Sequence, residues 1–108
     1  MLESSEQPAK YTVDRLPDVT VQIRRLVERA KHLGLGPQVL DALETIVAKL
    51  ETMPLQWGDP EYATKKGGGT VLHGLLFPFI VRYVTFETQR VVCILKIRVF
   101  PRHPLEDD

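Results

Sequence analysis

Apolar positions along this chain recur first at helical spacing and then at strand spacing. From Val19 the pattern runs Ile23, Leu26, Val27, Ala30 and Leu33, one stripe of an amphipathic helix. Arg24, Arg25, Glu28, Arg29, Lys31 and His32 fall on the opposite face and are expected to meet water. Pro17 and Asp18 supply the start, with the acid near the positive end of the helix dipole. Gly34-Leu35-Gly36-Pro37 ends this helix and begins another, because glycine takes the left-handed C′ geometry and proline suits a first helical turn. The second helix is predicted from Pro37 to Thr52, with Val39, Leu43, Ile46, Val47 and Leu50 on its stripe and Pro54 closing it. Two helices joined this way form an antiparallel hairpin whose apolar stripe must be buried against the rest of the chain.

The rest reads as strands. A connector rich in turn formers, LQWGDPEYATKKGGG, follows Pro54, and its Trp57 is expected to plug a gap beneath it. Segments 70–77, 79–86 and 90–100 are then rich in β-branched and aromatic residues and are separated by Pro78 and by Glu87-Thr88-Gln89. They predict an antiparallel three-stranded meander. In the last strand Val91, Cys93, Leu95, Ile97 and Val99 make one apolar face, which the helices should cover. Val92, Ile94, Lys96, Arg98 and Phe100 make the other, which should stay partly open. A short strand over Tyr11–Leu16 precedes the first helix. The expected fold is therefore α+β in the order β-α-α-β-β-β, a helix hairpin on one face of a small antiparallel sheet.

Length and composition fit this outline and exclude other classes. With 108 residues, 44% hydrophobic and 26% charged, the chain has room for one globular domain and its core. Residues 1–9 read as a polar N-terminal arm, 10–103 as the domain, and 104–108 as a solvated acidic tail. The start lacks the basic and apolar regions of a secretory signal, and no apolar run reaches membrane-helix length. A single cysteine fits a reducing compartment, so a cytoplasmic protein is expected. Fourteen bases balance fourteen acids, but not by position. From Tyr62 to His103 lie seven bases and one acid, Glu87, a balance of +6, which leaves −6 for the rest. Such a split suits an acidic partner or a polyanion, and it also suits strands that use Lys and Arg to block edge pairing.

Few sites of known chemistry survive. His32, His73, His103 and Cys93 have no ligand spacing for a metal, and no small-molecule cofactor is implied. Cys93 reads as a small hydrophobe in a strand. KKGGGT resembles a phosphate loop only faintly, since its lysines precede the glycines and no helix follows. Tyr62 and Tyr83 are expected to pack. What remains is a basic set in the strand half: Lys65, Lys66, His73, Arg82, Lys96, Arg98, Arg102 and His103.

The helix hairpin ending in LETMPLQWGDP, the middle strand FIVRYVTF and the final RVVCILKIRVFPRH resemble the RelE/ParE superfamily of bacterial toxins across residues 10–103. The resemblance implies the β-α-α-β-β-β fold and a cognate antitoxin protein as partner. For the RelE branch it implies metal-free cleavage of mRNA on the ribosome, in which cations hold the phosphate and a proton-transfer group serves the attacking 2′-hydroxyl. Carried over by position, it points to Lys65, Lys66, Arg102 and His103, with His73 and Leu75 where family members carry arginines. Joined to the basic set above, it nominates His103, Arg82, Arg98 and Lys66 as catalytic, and Lys65, Lys66, His73, Lys96 and Arg102 as RNA-binding. Ile80 stands where family nucleases carry a middle-strand arginine, and Arg82 lies two residues further along the same strand face. That departure keeps open an alternative, a non-nuclease ParE-like toxin or inactive relative that acts by binding a protein. Histidine 73 has a second reading as a hydrogen-bonded residue of a half-buried strand.

Overall fold

Proline and glycine set the element boundaries much as their backbone geometry requires. The computed structural model describes residues 10–64 and 66–106. Strand β1 (Thr12–Arg15) leads into helix α1 (Pro17–His32), with Pro17 in its first turn. Gly34 ends α1 in the left-handed region at φ +73°, and the Leu35 N–H returns to the Ala30 carbonyl at 2.8 Å. Helix α2 (Gly36–Thr52) follows, then a one-turn helix α3 (Pro54–Trp57). The strands β2 (Asp59–Ala63), β3 (Gly69–Leu76), β4 (Phe79–Phe86) and β5 (Val91–Val99) complete an α+β fold. No helix among the described residues is long and apolar enough to cross a membrane.

Five strands lie in the order β1-β5-β4-β3-β2. The sheet is mixed, not antiparallel throughout: β1 runs parallel to β5, with Thr12 opposite Val91 and Arg15 opposite Ile94. A parallel neighbour needs a long connection, and here the whole intervening chain provides it. The remaining pairs are antiparallel. Val19, Leu26 and Ala30 of α1 and Val39, Ala42, Ile46 and Leu50 of α2 pack on one sheet face against Leu72, Phe79, Val81, Tyr83, Val92, Ile94 and Ile97. No helix among the described residues lies over the opposite face.

Three further expectations are corrected. The connector is not all loop, because α3 and the edge strand β2 form within it. Every residue of β2 is exposed, so it carries none of the apolar alternation that marks a strand. Second, the alternation of β5 breaks midway. Arg82 pairs with Lys96 but Tyr83 pairs with Ile94, so Leu95 is an extra residue, a β-bulge. The core face is therefore Val92, Ile94, Ile97 and Val99, while Val91 and Cys93 turn to the uncovered face. Third, the chain after His103 is not a free tail up to Glu106. Leu105 is fully buried in the core, and the Glu106 carboxylate accepts the Arg102 N–H at 2.8 Å.

Trp57 does pack under the connector, with a specific partner. Its ring stacks on Tyr83 at 5.7 Å and lies over Gly74, where a Cβ would come within 2.6 Å of the indole. The buried Tyr83 hydroxyl donates to the Pro54 carbonyl. Desolvation pushes this phenol up to about 12, the Asp59 carboxylate adds to the shift, and a hydrogen bond from the Gly58 backbone opposes it. The folded state thus holds this proton more tightly than the unfolded chain, whose tyrosine titrates near 10. Stability from this group is complete below pH 10 and is lost as pH rises from 10 to 12. Urea midpoints measured from pH 9 to 12 should fall by a margin equivalent to about 2–3 kcal/mol more than in Tyr83→Phe. Parallel curves for the two proteins would show that the phenol does not contribute this dependence.

Candidate functional site

Two bulges aim side chains at one region of the uncovered face. The first, at Leu95, turns Lys96 and Arg98 outward while Ile97 stays in the core. The second lies in β2, where Pro60 pairs with Leu72 and Tyr62 with Val71, leaving Glu61 as the extra residue. Between them, direct pairing sets His73 of β3 opposite Arg82 of β4, and Arg82 opposite Lys96 of β5. The next row is Leu75, Ile80 and Arg98. Glu61, His73, Ile80, Arg82, Lys96 and Arg98 line a depression of about 350 Å³.

The uncovered face is thus divided along the strands. At one end lie Val71 and Val84, both buried, and the half-buried Phe86, whose ring is close over Gly69. At the other end lie three permanent cations and an imidazole. Like charges directly opposite one another in a sheet are destabilising, so the Arg82–Lys96 pair opposes folding stability. Glu61 offsets part of this. Its Oε1 lies 3.3 Å from Arg82 Nη2 and its Oε2 lies 3.1 Å from His73 Nδ1. The same arginine nitrogen reaches Tyr62 Oη at 3.5 Å. Even so, the three cations outnumber the one carboxylate. This locally unfavourable charge arrangement makes the depression the candidate binding or reactive site.

The chemistry follows from these contacts. With Nδ1 of His73 engaged by a carboxylate, Nε2 is the ring nitrogen left to accept a proton. Arg82 presents a planar fork suited to phosphate oxygens, and Lys96 and Arg98 add positive charge beside it. The site can therefore hold a phosphodiester and stabilise negative charge that develops on it.

Of the residues singled out from sequence, the structure brings His73, Arg82, Lys96 and Arg98 together. It does not bring Lys66, Arg102 or His103 into the depression. Lys66 lies in the turn before Gly69, where its carbonyl accepts the Thr64 hydroxyl at 2.8 Å. His103 lies beyond the other end of β3, its ring 5.3 Å from that of Phe77 and its Nδ1 accepting the Leu105 N–H at 3.1 Å. Eight residues of β3 separate those ends by roughly 25 Å, too far for Lys66 and His103 to serve one phosphodiester. Arg102 adopts φ +68° in the closing turn, where its amide is held by Glu106. Lys65 lies outside the described residues. Cys93 is half-buried beside Asp14; burial first and that carboxylate second push its thiol up, which makes it a poor nucleophile.

Glu61 was not among the sequence candidates. It stands one residue before the basic segment, and only the bulge carries it back over His73 and Arg82. No family model, curated protein or solved structure matches this chain.

Proposed function

We propose that this protein is the toxin of a toxin–antitoxin pair, related to the RelE/ParE superfamily, and that it cleaves mRNA on the ribosome without a metal. The observation that carries the reading is the cross-strand row His73–Arg82–Lys96, with Arg98 beside it and Glu61 bridging its first two members. The element order supports it, with a helix hairpin on one sheet face and the first strand beside the last. In this reading the phosphodiester sits over Arg82, and His73 takes the proton of the adjacent 2′-hydroxyl. The 2′-oxygen then bonds to phosphorus, the bond to the 5′-oxygen breaks, and that oxygen leaves with a proton from water or from the imidazolium. The fragments end in a 2′,3′-cyclic phosphate and a 5′-hydroxyl. Arg82, Lys96 and Arg98 stabilise charge on the phosphate as the bond order changes. The antitoxin partner would present acidic side chains to the same cations.

Purified protein added to a translation reaction should fragment the mRNA and leave cyclic phosphate ends. Intact mRNA at high protein concentration would overturn the nuclease reading. One observation favours the ParE-like alternative. Ile80, standing in place of the family arginine, puts an apolar side chain in the lining of the depression, directly opposite Arg98. Growth arrest on expression with mRNA intact would select that alternative.

A further inference from the structure

The basic depression does not end at β5. Strand β1 pairs with β5 only as far as Ile94, so the half of β5 from Leu95 to Val99 has no strand on that side. Between this free edge and α1 runs a groove of about 900 Å³. Ile80, Lys96 and Arg98 line both this groove and the depression on the uncovered face, so the two are continuous. On its helical side the groove is lined by Arg25 and Arg29, one turn apart on the same flank of α1.

A free strand edge beside a groove suggests an added peptide strand, but one amide of that edge is already engaged. Gln22 of α1 directs its Oε1 to the outward amide of Ile97 at 3.4 Å. An incoming strand must displace that contact, whereas a polyanion lying against the side chains leaves it in place. The carboxylates of the groove have local compensation. Asp18 sits in the first turn of α1 against the positive end of the dipole, and Glu106 is bound to the Arg102 amide. Among the described residues Arg25, Arg29, Lys96 and Arg98 have no ion-pair partner and are open to an external anion.

We infer that Arg25 and Arg29 extend the phosphate-binding surface, so that a single-stranded RNA crosses β4 and β5 and passes over the free edge onto α1. The inference rests on the RNA reading above and adds a second set of contacts remote from the reacting phosphate. Each phosphate contact made by a cation releases counterions, and for a single strand the logarithm of affinity falls against the logarithm of salt by about 0.7 per contact.

The test is the salt dependence of binding to a short single-stranded RNA carrying 2′-O-methyl riboses, which cannot be cleaved. Arg25→Ala with Arg29→Ala should lower the slope by about 1.4 and weaken binding. Arg24→Ala with Lys31→Ala removes the same charge from α1 outside the groove and should leave the slope unchanged. An unaltered slope in the first pair, while Arg82→Ala lowers it, would end the track at β5 and overturn this inference alone. Equal losses in both pairs would also overturn it, because net charge then accounts for the effect. Failure of the unsubstituted protein to bind the RNA at all would remove the RNA reading and this inference together.

Discussion

Replacing Arg82 with alanine is expected to slow mRNA cleavage by about 10²–10³-fold, the loss typical when one preorganised donor to developing charge is removed. Arg82 occupies the middle of the row, with His73 directly across on one side and Lys96 on the other. No other described residue offers a planar pair of donors at that point. Lysine there restores charge without the fork, so Arg82→Lys should recover only part of the rate. Stability should change little. The ion pair with Glu61 is partly exposed and contributes at most about 1 kcal/mol, and removing Arg82 also relieves its repulsion with Lys96. Initial cleavage rates and thermal melts of both variants together give the answer. A wild-type rate in Arg82→Ala would mean that the phosphate is held elsewhere.

The largest stability loss is expected at Tyr83. Tyr83→Ala should destabilise the fold by about 3–5 kcal/mol, the range for truncating a large core aromatic. The ring is fully buried at the centre of the sheet, stacks on Trp57 and ties its hydroxyl to Pro54. A small domain holds only about 5–15 kcal/mol in total, so this variant approaches unfolding at body temperature. Tyr83 also reaches Gly58, immediately before β2, where a Cβ would stand 2.5 Å from the phenol oxygen. Losing the ring therefore loosens the attachment of β2 and with it the placement of Glu61. Tyr83→Phe separates the two effects, because it keeps the ring and removes the hydroxyl with its hydrogen bonds to the Pro54 carbonyl and from the Gly58 backbone, a loss of about 1–3 kcal/mol where a buried partner stays unpaired. Urea unfolding of both variants checks the order, and equal losses would contradict the assigned role of ring packing.

Helices α1 and α2 were legible because their signals are local: a period of 3.6 in the apolar residues and proline and glycine at the ends. Strand β4 was legible for a similar reason, its bounds falling at Phe79 and Phe86 as expected. Strand β5 was only half legible. Its run VVCILKIRV is apolar on both sides up to Leu95, so nothing in the residue types marks where a bulge resets the alternation. That hid the true facing of Val91 and Cys93. Strand β2 was invisible because an exposed edge strand needs no hydrophobic pattern; its pairing with β3 is made by the backbone. Leu105 was hidden by its polar neighbours, since one apolar residue has no period. The cations of the site were legible as types, but their grouping was not. Register decides it, and register depends on two extra residues that the pattern does not display.

The same bulges and short strands govern how the molecule behaves in a crowded solution. A sheet that ends in long, flat backbone invites another copy to extend it, and such growth leads to filaments. One margin of this sheet is β2, which carries Pro60 and the Glu61 bulge and so lacks a continuous row of amides. The other is the four-residue β1, beyond which Gln22 takes the amide of Ile97. Both margins thus carry features that discourage a further strand, a guard against polymerising through the edges for a protein with one uncovered sheet face.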